Sequence, residues 1–369
     1  MRRKLIGLAV AGAMAAPLAA QAQQGSTVQI YGLLQPSIDF VDNGDDSGTN
    51  MSNNNSRLGF RGSEDLGGGL KAIFQLESAV DFDNRSGTGW TRRDSWVGLA
   101  GGFGSVTLGT QFTAYKRSTD FLDPFADTIG DYNNVFGVPA FDQDGFNDRF
   151  TNSVHWTSPN WGGFQLMATY GLNGDGDGDL HEEDSGDGKD DAFSIALTYK
   201  LGGLTLVAAY EDQEDRLEVD LGGGAGFALE SAKSYKIGAG YKLGNTTFGL
   251  MYAKEDFGSV SGAVGAVPVV DGDDLERDLI FASIKHSIGN VDLMASYTWA
   301  DDFDDVSDSG AQAFAIGAAY NFSKRTNIGA YFTMVDNDDN VAYGLDAGHA
   351  PSGAGEKVKA FSVRMRHAF

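Results

Sequence analysis

Polar and apolar residues alternate with a period of two over most of this chain, and the alternation is cut into segments of roughly ten residues. The clearest case is Asn53–Glu77. In Ser56–Ser63, Leu58 and Phe60 share one face of a strand while Arg57, Gly59 and Arg61 share the other. Asp65–Gly69 (DLGGG) supplies a turn. Beyond it, Lys71, Ile73, Gln75 and Glu77 alternate with Ala72, Phe74 and Leu76, so a largely polar or charged face crosses the hairpin. No long helical periodicity at i, i+3, i+4 occurs after the first twenty residues or so.

The pattern predicts strands over residues 28–42, 56–63, 71–77, 92–99, 103–111, 149–157, 164–172, 192–201, 204–211, 233–243, 246–254, 278–288, 291–300, 312–322, 326–335 and 357–369. That makes about sixteen, an even number as bacterial outer-membrane barrels require. The connections alternate between two classes. Short ones are pairs such as Gly101-Gly102, Gly202-Gly203, Gly244-Asn245 and Gly289-Asn290. Long ones, rich in Asp and Gly, cover 112–148, 173–191, 212–232, 255–277, 301–310 and 336–356. In an up-and-down antiparallel topology every other connection lies at the same end. One end therefore carries trim turns and the other long acidic loops.

In the last segment Phe361, Val363, Met365, His367 and Phe369 share a face, and Ser362, Arg364, Arg366 and Ala368 share the other. An arginine facing lipid near the bilayer midplane costs about 2–4 kcal/mol, so these two are expected to face a wet lumen. The N-terminus agrees with export. Arg2, Arg3 and Lys4 precede an apolar run from Leu5 to Ala20, and Ala20-Gln21-Ala22 is a cleavage pattern. The expected organisation is a signal peptide over 1–22 and one β-barrel over 23–369. No later stretch has the ~20 apolar residues of a membrane helix, and the chain has no cysteine.

The formal charge is −24, and loss of a leader with three bases and no acid takes it to −27. Such a balance argues against nucleic acid as a partner. There is no H-E-x-x-H, P-loop, G-x-S-x-G or defensible Ser/His/Asp set, so an enzyme is not expected. Asp175–Asp191 (DGDGDLHEEDSGDGKDD) is reminiscent of a calcium loop, but Leu180 and Gly186 stand where such a loop needs Gly and an acid. Asp175, Asp177 and Asp179 are candidates for Ca²⁺ or Mg²⁺, with a solvated loop preferred; no cofactor is expected.

NSRLGFRGSEDLGGGLKAIFQLE, RRDSWVGL, FGSVTLGTQ, RFTNSVHWTSP and the terminal Phe369 together resemble the general diffusion porins of Gram-negative outer membranes. The resemblance implies a trimeric, sixteen-stranded transmembrane barrel set in outer-membrane lipid and lipopolysaccharide. It would pass ions and small hydrophilic solutes, and its third long loop (here 112–148) would fold into the lumen. It also implies arginines on the wall opposite carboxylates on that loop. By matching motif the wall residues are Arg57, Arg61, Arg93 and Arg149, with Lys71 a further member. The acids are among Asp120, Asp123, Asp127 and Asp131, with Asp123 and Asp127 foremost because they flank Pro124-Phe125. Thr110 departs from the family, which often has a base there. The rival reading is a plugged adhesin or structural barrel whose acidic loops bind a partner or divalent cations. The overall charge leans the expected ion preference towards cations, although wall arginines favour anions locally.

Overall fold

The computed structural model describes residues 26–81, 93–137, 145–172, 192–220, 226–262 and 274–369; the expected leader lies outside them. Eighteen extended segments join edge to edge in one closed sheet. They are β1 (Thr27–Leu34), β2 (Pro36–Asp42), β3 (Ser47–Asn53), β4 (Arg57–Gly67), β5 (Leu70–Ala79), β6 (Ser95–Gly101), β7 (Gly104–Phe112), β8 (Arg149–Thr157), β9 (Phe164–Gly171), β10 (Ala192–Leu201), β11 (Leu204–Asp220), β12 (Gly226–Leu243), β13 (Thr246–Gly262), β14 (Asp274–Ile288), β15 (Val291–Ala300), β16 (Ala311–Asn321), β17 (Thr326–Asn337) and β18 (Val358–Ala368). β18 pairs antiparallel with both β1 and β2, β1 with β4, and β2 with β3. β1 and β2 are thus halves of one strand, as are β3 and β4, and the eighteen segments make a closed antiparallel barrel of sixteen strands. Phe369 seals the seam, exchanging backbone hydrogen bonds with Gly32 at 3.0 and 3.2 Å.

Two boundaries differ from the alternation. The first strand breaks at Gln35, because Pro36 has no N–H to give the ladder. The second starts at Ser47, whose stretch SGTNMSN is polar and carries no alternation to read. Side chains replace the missing ladder bonds at the break: the Gln35 amide donates to Ser56 Oγ (2.8 Å) and Asn54 Nδ2 donates to the Gln35 carbonyl (3.0 Å). In addition, much of what reads as loop over 212–232 and 255–277 is strand, since β11 runs to Asp220, β12 starts at Gly226, β13 runs to Gly262 and β14 starts at Asp274. An apolar outer face is needed only where a strand meets lipid; these strand ends depart from the alternation and still pair through their backbones.

The faces are inverted relative to a water-soluble sheet. Along β16, Ala311, Ala313, Ala315 and Ala319 are buried on the inside while Phe314, Ile316 and Tyr320 are exposed outside. On the opening hairpin Leu76 faces out, whereas Glu77 is buried on the inner face. Large side chains outside and small ones inside suit a wall whose outer solvent is lipid and whose interior must hold a folded loop.

Candidate functional site

The connection from β7 to β8 folds into the barrel. Its base is closed by the Thr113 amide donating to the Asp148 carbonyl (3.1 Å). A short helix, α1 (Ala114–Thr119), is capped by Thr113 Oγ1, which accepts from the Lys116 amide (3.1 Å). From there the inner loop follows the wall strand by strand. The Ala114 amide donates to Thr169 Oγ1 on β9, the Tyr115 amide to Ser194 Oγ on β10, and Ser283 Oγ on β14 to the Leu122 carbonyl. Lys236 of β12, fully buried, donates to Thr119 Oγ1 and Asn147 Oδ1. Gly238 on β12 gives Leu122 its seat, since a Cβ there would lie 3.0 Å from Leu122 Cδ1. Phe125 packs edge-on against Tyr331 of β17.

The descending end of the loop is held by charge. Arg277 on β14 donates to Glu255 Oε2 on β13 (2.8 Å), to Tyr343 Oη (2.5 Å) and to the Val135 carbonyl (3.0 Å), and also bonds the Gly137 carbonyl. Glu255 Oε1 accepts from the Gly137 amide (3.1 Å), and both charged side chains are fully buried. A buried pair is tolerable only with such complete hydrogen bonding.

Between the inner loop, the facing wall and the last loop lies a cavity of about 860 Å³. Arg57, Arg93 and Arg149 line it from the wall side and Asp120, Asp127 and Asp131 from the loop. Arg57 Nη1 reaches across to Asp127 Oδ2 at 3.0 Å. Asp127 also sits 3.4 Å from Gln35 Nε2, a side chain aimed there by the break in the first strand, and Gln35 Oε1 accepts from Arg364 Nη1 at 3.0 Å. Arg93 and Arg149 do not meet loop acids 120–131. Arg93 Nε donates to Glu77 Oε1 (2.7 Å), and Arg149 Nε to Asp94 Oδ1 (2.7 Å), while Arg117 Nη2 takes Asp94 Oδ2 (2.5 Å). Asp131 accepts from the Asp127 and Asn133 amides (3.0 and 2.9 Å), and burial raises its carboxyl above the usual range against the pull of Lys116. Asp120 is half exposed and lies 3.7 Å from Lys116 Nζ.

Three expected members sit elsewhere. Asp123 turns into the loop, where Oδ1 accepts from the Phe125 amide (2.7 Å) and Oδ2 from the Tyr132 amide (3.2 Å). It is buried, and it fastens the turn around Pro124 rather than facing the gap. Arg61 lies four residues below Arg57 on β4, bonded to Gln29 Oε1 (3.0 Å) and stacked over Tyr31 (4.9 Å). That is roughly 13 Å away at about 3.3 Å per residue. Lys71 is exposed beside the Gly67–Gly69 turn, opposite Asp65. Between Arg57 and Arg61, Gly59 leaves room for the Tyr31 ring, which a Cβ would meet at 2.4 Å. Asp175, Asp177 and Asp179 lie outside the described residues, among which no group of three or more acids or histidines is placed to hold a metal.

Glu77, Asp94, Lys116, Arg117, Asp148, Asp346 and His349 join this neighbourhood without having been singled out as site residues. Glu77 is legible in the sequence as an acid on the polar face of its hairpin, while Asp94 lies within the RRDSWVGL motif just ahead of β6, where no alternation assigns it a face. Asp346 and His349 come from the last loop, with Asp346 212 residues from its inner-loop partner Asn134, and nothing local marks them.

A barrel with an apolar belt, a polar interior and a loop folded inside is an outer-membrane channel. The model of the Gram-negative porin family matches residues 7–340, and the chain belongs to that family. It is 29% identical over 392 residues to outer membrane porin protein 32 of Delftia acidovorans, covering 100% of both chains. It is 27% identical to an outer membrane porin protein of Bordetella pertussis, covering 98% of this chain and 99% of that one. Among solved structures, an anion-selective porin from Comamonas acidovorans superposes with a TM-score of 0.75 at 25% identity, covering 94% of this chain and 100% of that chain. The protein is thus an outer-membrane porin, a passive channel rather than an enzyme.

Proposed function

We propose that ions and small hydrophilic solutes pass through this barrel between the inner loop and the wall that carries Arg57, Arg93 and Arg149. The observation that carries the reading is the Arg57–Asp127 pair, a salt bridge of 3.0 Å linking wall to loop at the cavity. Opposed fixed charges across a wet gap orient water and polar solutes, and an apolar solute has to disrupt that order. Arginine suits the wall because it stays protonated.

The local charges favour cations. Asp120, Asp127, Asp131, Asp148 and Asp346 line the cavity against Arg57, Arg93, Lys116 and Arg149. Behind them Glu77 and Asp94 engage Arg93, Arg149 and Arg117. By formal charge seven acids thus stand against six bases, once Arg364, bonded to Gln35 and to the Asp127 carbonyl, is included. The Comamonas porin is named as anion-selective; here two of the three wall arginines are already held by wall carboxylates, which mutes their call on passing anions.

The same reading includes export by a leader over 1–22 and a homotrimer set in outer-membrane lipid and lipopolysaccharide, with no cofactor; divalent cations on the acidic loops belong to the rival reading of a plugged barrel. A planar lipid bilayer tests its core. Purified protein should give stepwise currents, inserting and closing in groups of three equal steps if three pores travel together, with a reversal potential on the cation side under a salt gradient. No stepwise current would sink the channel and favour a plugged barrel.

A further inference from the structure

The last loop, between β17 and β18, folds back over the lumen and brings Asp346 to the same cavity as the inner loop. Its position is fixed from several sides. The Asp346 amide donates to Asn134 Oδ1 of the inner loop (2.8 Å), Asn55 Nδ2 from the β3–β4 junction approaches Asp346 Oδ2 (3.4 Å), and Asp346 Oδ1 accepts from the Ala347 amide (2.9 Å). Behind it His349 Nε2 sits 3.0 Å from Asp39 Oδ2 on β2. Val341, Tyr343 and Leu345 are buried, and Tyr343 Oη shares the Arg277 clamp that also grips the inner loop. One buried cation therefore ties both loops to the wall, so the carboxylate of Asp346 is held by a packed segment, not a free one.

We propose that Asp346 is a selectivity-setting carboxylate of the channel, and that gain or loss of its proton tunes the preference between cations and anions. The groups around it decide the sign. Asp131 and Asp127 face it from the inner loop, with Arg57 of β4 engaged by Asp127. His349 faces it from its own loop, backed by Asp39 of β2. Burial pushes the Asp346 carboxyl up to about 7, with Asp131 adding to the shift and the Ala347 amide and His349 opposing it. Above that value the group is an anion in the cavity wall, and below it is neutral. Cation preference should therefore weaken as pH falls through neutrality.

This rests on the channel reading, and the experiment separates the two. Reversal potentials are measured under a KCl gradient for wild type and Asp346→Asn, on either side of neutral pH. The Asn variant keeps Oδ1 for the Ala347 amide and leaves the backbone bond to Asn134 intact. Wild type should shift towards anions on acidification. Asp346→Asn should hold the more anion-leaning value at both pH values, and Asp346→Glu should restore the response. Open channels whose wild-type potential ignores pH, or whose pH response survives in Asp346→Asn, would overturn the assignment. Absence of any wild-type current would instead remove the channel on which it rests.

Discussion

Arg57 and Arg93 hold their charge in different ways, and removing them together exposes both arrangements. Arg57 meets Asp127 across the gap, so its loss leaves a loop carboxylate without a guanidinium. Arg93 backs onto Glu77 and reaches Asn55 Oδ1 (3.3 Å), so its loss frees a wall carboxylate that is otherwise buried beneath it. Arg57→Ala combined with Arg93→Ala should therefore move the reversal potential towards cations, by uncovering two acids as much as by removing two bases. An unchanged potential would mean that neither side chain borders the ion path. Asp123 gives a contrast at the same scale. It sits three residues from Asp120 and four from Asp127 and has identical chemistry, yet its two oxygens accept backbone amides inside the loop. Which of several neighbouring aspartates faces a gap depends on where the backbone turns, and here a positive φ of 57° at Asp127 helps set the turn.

At the scale of elements, the inner loop depends on the wall behind it. The Arg277–Glu255 pair fixes its Val135–Gly137 end and the last loop at once. Truncating one partner of a buried pair costs about 3–5 kcal/mol, because the remaining charge is left unpaired in a dry site. Arg277→Ala should loosen both loops together. The expected readouts are noisier single-channel current and faster proteolysis within 113–148, with the barrel itself still formed. Quiet channels and unchanged protease resistance would show that Leu122 and Phe125 suffice as anchors. The strands themselves were legible, because alternation along each segment and glycine-rich turns are local signals. The anchors were not. Glu255 and Arg277 stand in stretches that read as polar loop, and only the register of β13 with β14, which places Glu255 opposite Arg277, reveals a pair. Arg57 and Arg149 could be placed on the wall from their motifs. That Glu77 and Asp94 would neutralise two wall arginines needed side-chain positions, which a period of two does not give.

Over the whole molecule, charge is arranged in two zones with different reach. The formal charge is −24, and much of the acid lies in the long connections between strands. At the mouth, Asp338 has its carboxyl raised by burial and by the neighbouring Asp302 and Asp308, so these acids already act on one another. Within the lumen, by contrast, Arg57, Arg93 and Arg149 each lie within about 3 Å of a carboxylate. Salt separates the zones: fields from the mouth are screened over about 10 Å at 0.1 M and about 3 Å at 1 M, while contacts in the constriction are screened far less. If the mouth concentrates cations, selectivity should fall as salt rises at a fixed gradient ratio, settling at the value the constriction alone imposes. Reversal potentials taken from low to molar KCl measure this directly. A cation preference that does not change with salt would place selectivity wholly at the constriction, and would leave the acidic loops a role at the cell surface rather than in permeation.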